Sequence, residues 1–477
     1  MTPQAPLLVI PPLSDPTRTV TDPGPRVLDL NTNFRNRAAD PARLSASAET
    51  AEPLDALFLH AATAIFARKR QDEATLRAMG VALRSMTAHD ETLRMTADDV
   101  EIVDGSTESS KDVANAGRRT TLFGPEVALA AEAAGRGPMR VLVDTDQQLP
   151  AAIAIVLGSA SNNIALCGKF ALAHRATLSR LPELRGTTIS AWVPRWQLAP
   201  QWSDGKRVTA VTDPAHPTQG EPWVGWLDVA SLLHTPESAL ALCRGVILTA
   251  AARSGRTQFT SGVNGTTVDI ADVVRRMPSD VPIRVELLVG APGVESEAVK
   301  ETAHALANDD ELRLAGLRPF RLSVNAHGSW GGRQLTHRPQ PTSRDLPRSR
   351  DFDAAKTIEH QMISGTIAEL LAELSPAVEL LPGRFAATAP MSTTGQDGWS
   401  ANAQVVRNDG LGPDSRGPGY FVVNLRSGSA FRLHPRLSSV VDRLARGDRS
   451  VAQQLSDRVR NRLSGQLVGA GVWRGSL

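Results

Sequence analysis

The chain has 477 residues, 41% of them hydrophobic and 4% aromatic, which suits two to four domains of roughly 100–200 residues with real cores. Lys and Arg number 52 against 50 Asp and Glu, a net charge of +2, so nothing global argues for nucleic acid or an anionic membrane as partner. Cys167 and Cys243 are the only cysteines, too few for a disulfide framework, a four-cysteine zinc site or a cubane cluster; two reduced, buried thiols are the plain expectation.

The start, MTPQAPLLVIPPLSDP, lacks a basic segment and meets proline early, so no signal peptide is expected. No apolar run reaches the ~18–20 residues that span a bilayer. The expected location is cytoplasmic.

Leu7–Ile10 is an apolar run stopped by Pro11 and Pro12, the pattern of a buried first strand. Val27–Leu30 reads as a second strand, and 54–68 and 72–87 carry helical spacing. MRVLVD at 139–144 is the clearest strand of the first half; a helix over 148–159, a strand over 163–166, a helix over 173–181 and a strand over 188–193 follow. This alternation predicts an α/β fold with a doubly wound parallel sheet. The stretch 106–122 reads as a loop. Alternation resumes from Gly220: helix at 236–248, extended chain at 256–260, helix at 269–276, strand at 283–289, helix at 296–308, strand at 317–324. That pattern fits a partial β/α barrel.

Residues 331–351, GGRQLTHRPQPTSRDLPRSRD, are polar, basic and dotted with proline. Their composition predicts a flexible connection, with a basic patch for an acidic partner as the alternative. A helix is expected over 352–374 and a loop over 407–419. The remainder reads as a small winged-helix-like unit. A strand at 404–407 precedes a hairpin, Tyr420–Leu425 and Ala430–Leu433, turning at Arg426-Ser427-Gly428-Ser429. Helices follow at 435–444, at 451–462 behind a Ser450 cap, and at 466–472.

Other chemistry is weakly marked. Asp144 and Asp146 end a predicted parallel strand, where α/β sites lie, although strand-end aspartates also cap the next helix. His327 beside glycines suggests a site loop or a structural turn. GAPG at 290–293 is too short for a phosphate-binding fingerprint.

The first half resembles the cobalamin-binding radical S-adenosylmethionine enzymes. LLVIPPLSDP at 7–16 with LDLN at 28–31, DQQLPAAIAI at 146–155 with IALCGKF at 164–170, then RVELLVGAPG at 284–293 and FRLSVNAHGS at 320–329 carry the likeness. The resemblance implies a cobalamin-binding-like domain over 1–195 and a degenerate barrel over 220–335, followed by linker and helices over 336–400. The family's CxxxCxxC motif would fall at Val246, Ala250 and Arg253 in TPESALALCRGVILTAAAR. None is a thiolate, so no cluster is held there, and the chain is expected to be a pseudoenzyme without a cofactor. No DxHxxG stretch for a cobalamin-ligating histidine is present, although many relatives bind cobalamin without one.

The segment 401–477 resembles the PqqD-like RiPP recognition element, which captures the leader of a ribosomally made, later modified peptide. The hairpin, the 434–444 helix, GDRSV at 447–451 and LVGAGVW at 467–473 carry that likeness; an ordinary winged-helix domain is the alternative. A leader adding as a strand would meet Ala430, Phe431, Arg432 and Leu433, with Leu455, Arg458, Val459 and Arg462 forming the other wall. Arg458 and Arg462, four apart on one helix face, would meet leader carboxylates or simply form a solvated basic face. The resulting expectation is a non-catalytic RiPP recognition protein, of the kind found in daptide-type pathways. It would bind the precursor leader and partner modifying enzymes, with no nucleic acid and no membrane. The alternatives are a cluster-less protein retaining cobalamin or S-adenosylmethionine, and a winged-helix regulatory or structural protein.

Overall fold

The computed structural model describes residues 5–14, 18–20, 26–68, 73–96, 99–194, 196–198, 201–203, 206–211, 222–254, 258–309, 311–322, 329–338, 341–374, 398–408, 419–475 and 477. It is a mixed α/β protein that divides into two compact units, one formed by Met1–Asn31 with Ile102–Met391, the other by Thr32–Glu101 with Ser392–Leu477. Residues 32–101 group with the C-terminal segment, and 220–335 shares a unit with the first sheet. His327 lies outside the described residues.

The first unit begins with β1 (Leu7–Ile10) and β2 (Arg26–Asp29). The chain then supplies helices to the second unit, among them α1 (Pro41–Thr50), α2 (Pro53–Phe66) and α3 (Glu73–Thr87). It returns through α4 (Ser110–Arg119), β3 (Met139–Leu142), α5 (Leu149–Gly158), β4 (Ile164–Cys167) and β5 (Thr188–Ile189). The expected loop at 106–122 therefore contains a helix. Ser109 caps it by accepting from the Asp112 N–H at 3.3 Å, a satisfied orphan donor that a loop reading misses. The predicted 173–181 helix is two short pieces, Lys169–Ala173 and Arg175–Leu178.

The five strands pair in parallel in the order β2-β1-β3-β4-β5. β1 is buried along its whole length, as the unbroken apolar run predicts for a strand covered on both faces. Order reverses between β1 and β3, so the crevice beyond their carboxyl ends is where such sheets receive ligands. Side chains of the same chain tie this crevice together. Gln148 accepts from the backbone N–H of Asp144 at 2.6 Å and Thr145 at 3.1 Å, and donates to Ser14 Oγ at 2.6 Å. Asn31 donates to the Ser14 carbonyl and accepts from the Leu13 N–H, holding Leu13 in the left-handed region at φ 69°. Beyond β4, Gly168 has φ 105°, and a Cβ there would sit 2.7 Å from the Val143 carbonyl. Only glycine permits this approach, which lets the Lys169 N–H reach Asp144 Oδ1 at 2.8 Å.

The second sheet has a sequential parallel run: β6 (Lys206–Val211), β7 (Trp223–Asp228), β8 (Cys243–Ser254), then, after the antiparallel pair β9 (Gln258–Ser261) and β10 (Thr267–Asp269), β11 (Ile283–Val289) and β12 (Leu312–Pro319). Neighbours run β6-β7-β8-β11-β12, all parallel, with β9 and β10 extending the far end of β8. The parallel strands follow one another in chain order, interrupted by the β9–β10 hairpin. Asp228, Thr249 and Glu286 stand side by side across β7, β8 and β11. Asp228 is buried and accepts from Ser261 Oγ at 2.6 Å, Gly262 N–H at 2.8 Å, Val263 N–H at 3.2 Å and Ala230 N–H at 3.0 Å. One carboxylate thus fixes the hairpin and starts the next helix. Glu286 is equally buried, accepts from Trp226 Nε1 at 3.1 Å and pairs with Arg318 at 3.2 Å. Arg318 lies over the Trp226 ring at 4.8 Å.

Among the described residues, no helix is long and apolar enough to cross a membrane.

Candidate peptide-binding site

In the second unit, β13 (Ala403–Asn408), β14 (Gly419–Asn424) and β15 (Ser429–Arg432) form an antiparallel sheet with β14 central. α6 (Ser438–Ala445), a 3-10 turn over Arg449–Gln454 and α7 (Asp457–Gly469) follow. The predicted strands stand, and the predicted helices shift. Asp448, not Ser450, caps the middle piece, accepting from the Ser450 N–H at 3.1 Å. Leu455 is extended (φ −88°, ψ 147°), which separates that piece from α7, and the expected 466–472 helix is the end of α7. Gly428 (φ 64°) makes the hairpin turn. Buried Asn424 ties the turn to the end of α7 by donating to the carbonyls of Ala470 and Gly471 and accepting from the Arg426 N–H.

Both faces of this sheet are covered. Ala403, Val422, Phe431 and Leu433 pack with Val441, Leu444, Val451, Leu463 and Leu467. On the opposite face Val406, Phe421, Val423 and Ala430 pack against Leu57, Phe58 and Ala61 of α2. Arg68, just past α2, donates to the Ala401 carbonyl at 2.9 Å, across 333 residues of sequence. The sequence reading missed this second layer, because the amphipathic spacing of α2 says that it packs but not against what.

The eight expected peptide-contact residues therefore separate. Ala430 faces α2, whereas Phe431, Leu433 and Leu455 belong to the core on the other face. Arg432 is exposed at the end of β15, and Arg458, Val459 and Arg462 are exposed on α7. β15 stands at the edge of the sheet. Leu433 donates to the Tyr420 carbonyl at 2.8 Å, so ladder alternation directs the Ala430 main-chain groups away from β14. From Gly419 to Leu477 the chain carries ten arginines against three aspartates, with no lysine or glutamate. Asp442, Asp448 and Asp457 each pair with an arginine. Arg458 and Arg462 are in none of these pairs, so they leave positive charge on the exposed side of α7.

Val246, Ala250 and Arg253 do not surround a common point. The expected 236–248 helix is a single turn, Glu237–Leu240, followed by the twelve-residue strand β8, which contains all three. At about 3.3 Å per residue, Val246 lies about 13 Å from Ala250 and about 23 Å from Arg253. Val246 and Ala250 are fully buried between neighbouring strands. Cys167 and Cys243 are buried, and burial pushes both thiols up to about 12. Among the described residues no group of three or more His, Cys, Asp or Glu is placed to hold a metal ion.

The carboxyl edge of the first sheet holds residues that the sequence reading left in a linker. Arg348 pairs with Asp146 and donates to Thr107 Oγ1 at 2.7 Å. Arg344 pairs with Glu108, and with Asp351 at 3.2 Å. Leu346 between them is fully buried. The 331–351 segment is thus docked chain over its second half, because its charges meet carboxylates about two hundred residues upstream. Residues 345–348 themselves occupy this carboxyl edge.

Compared with known protein families, curated proteins and solved structures, the chain matches none.

Proposed function

We propose that this chain is a non-catalytic recognition protein whose second unit binds an extended peptide, the leader of a ribosomally made precursor, and presents it to modifying enzymes. The observation that carries this reading is the edge position of β15 beside a strongly arginine-rich module. A peptide strand adding to that edge gains main-chain hydrogen bonds, while the exposed arginines of α7 favour a peptide with acidic residues and speed its approach. Each contact role is assigned by position. The outward main-chain groups of Ala430 offer the ladder, Arg432 flanks it, and Arg458 and Arg462 supply charge. Phe431, Leu433 and Leu455 build the floor.

The test is fluorescence anisotropy of labelled leader peptides from neighbouring short reading frames against the full chain. Micromolar binding is expected. Ala430→Pro removes only an outward N–H of an edge strand, a position where proline is tolerated, and should weaken binding at least tenfold without changing the circular dichroism spectrum. Paired Arg458→Glu and Arg462→Glu changes should weaken acidic leaders more than neutral ones. Binding that is indifferent to all three substitutions would remove β15 and α7 from the reading.

A further inference from the structure

Residues 345–348, Asp-Leu-Pro-Arg, lie across the carboxyl edge of the first sheet with both charged side chains and four main-chain groups bonded. The Asp345 carboxylate accepts from the Ser110 N–H at 2.8 Å and its hydroxyl at 2.7 Å, at the start of α4. The Asp345 carbonyl accepts from Thr177 Oγ1 at 3.3 Å. The Leu346 N–H donates to the Glu108 carbonyl at 2.8 Å, and the Leu346 side chain is fully buried. The Pro347 carbonyl meets His174 Nε2 at 3.1 Å. The Arg348 N–H donates to Glu108 Oε1 at 2.8 Å, and its guanidinium reaches Asp146 and Thr107.

Main-chain bonds, one buried apolar anchor, an acid pocket and a base pocket together are how a groove reads a linear peptide. The groove side comes entirely from residues 107–177, and the occupant comes from far along the chain. We infer that the carboxyl edge of the first sheet is a second peptide-recognition site, occupied in cis by Asp345–Arg348. It would accept in trans a linear peptide of acid–leucine–proline–arginine pattern. The occupant holds itself there with a single buried apolar side chain and otherwise polar contacts, which places it at the low-stability end of the unit. Tethering gives it an effective concentration up to the millimolar range, so a competing peptide meets a nearly closed site until the cis segment is released. This site is separate from the β15 edge and stands or falls independently of it.

The experiment uses the full chain and a labelled peptide spanning Thr342–Asp351, TSRDLPRSRD, with a scrambled peptide of the same composition as control. In the variant Asp345→Ala/Leu346→Ala/Arg348→Ala the peptide should bind at least tenfold tighter than to the wild type. Adding Asp146→Asn should reverse that gain. Equal binding of the scrambled peptide, or no binding to the folded triple variant at millimolar peptide, would overturn the inference. Should the triple variant not fold, amide exchange on the wild type decides. Exchange at Leu346 and Arg348 at least a hundredfold faster than at Val141 of β3 supports an exchangeable occupant. Exchange as slow as at Val141 makes the segment a fixed staple and ends the proposal.

Discussion

The two parallel sheets of the first unit finish their carboxyl edges in opposite ways. In the second sheet a local device does it: Asp228 at the end of β7 gathers the β9–β10 turn, whose bonded residues follow 33 and 34 positions later. In the first sheet the cover is brought from 202 residues away, and its Arg348 meets Asp146. A local closure forms with its strand and is buried with it. A distant closure depends on ionic and main-chain contacts made after both partners are in place, and loop-closure entropy opposes it. One edge is therefore part of the core and the other is a docked surface.

The largest effect should come from Asp228→Ala. It orphans the Ser261 hydroxyl and the Gly262 N–H, at roughly 1–3 kcal/mol for each buried donor. A fall in the denaturation midpoint equivalent to several kcal/mol is expected, and a loss below 1 kcal/mol would break the comparison. Leu346→Ala should cost less, near the low end of the ~2–5 kcal/mol typical of buried leucine truncation, because the segment can lift away instead of leaving a cavity. A larger loss for Leu346→Ala than for Asp228→Ala, by the same denaturation measurement, would reverse the assignment of core and docked surface.

Acid adds a further prediction. Burial holds His174 below its ordinary value, against the upward influence of the Pro347 carbonyl and of Asp146, Asp345 and Glu108. Below about pH 6.5 the unfolded chain binds more protons than the folded one. The denaturation midpoint should therefore decline as pH falls from 7.5 to 5.5, and His174→Gln should flatten that profile. The smallest effect is a null one. With both thiols pushed up to about 12, Cys167 and Cys243 should resist a thiol reagent at pH 8 in the native chain and react on unfolding, because the thiolate is the reactive form. Fast labelling of either would show its strand to be open.

Much of the first sheet was legible in the sequence. β1, β3 and β4 are short apolar runs bounded by proline, aspartate or glycine, and such punctuation survives any tertiary context. β8 was misread for a physical reason. Alanine and leucine before Gly245 favour helix locally, yet a strand covered by neighbours on both sides also reads as continuous apolar sequence. The 345–348 segment was hidden by its composition. Proline, arginine and serine look like solvated linker, and only Leu346 hints at a buried anchor. At the candidate site, hairpin and turn were legible because Gly428 and the alternating residues of β14 act locally. The α2 layer was not, since no local signal names a partner more than three hundred residues away.

That layer has a consequence for how the chain is made. At roughly 5–20 residues per second, a ribosome that has finished α2 works for roughly another 20–70 seconds before β13 emerges. Throughout that interval Leu57, Phe58 and Ala61, which will cover Val406 and Val423, have no sheet to cover. The nascent helices offer an apolar stripe of the kind that chaperones hold, and a truncated transcript that stops before residue 403 would leave it permanently bare.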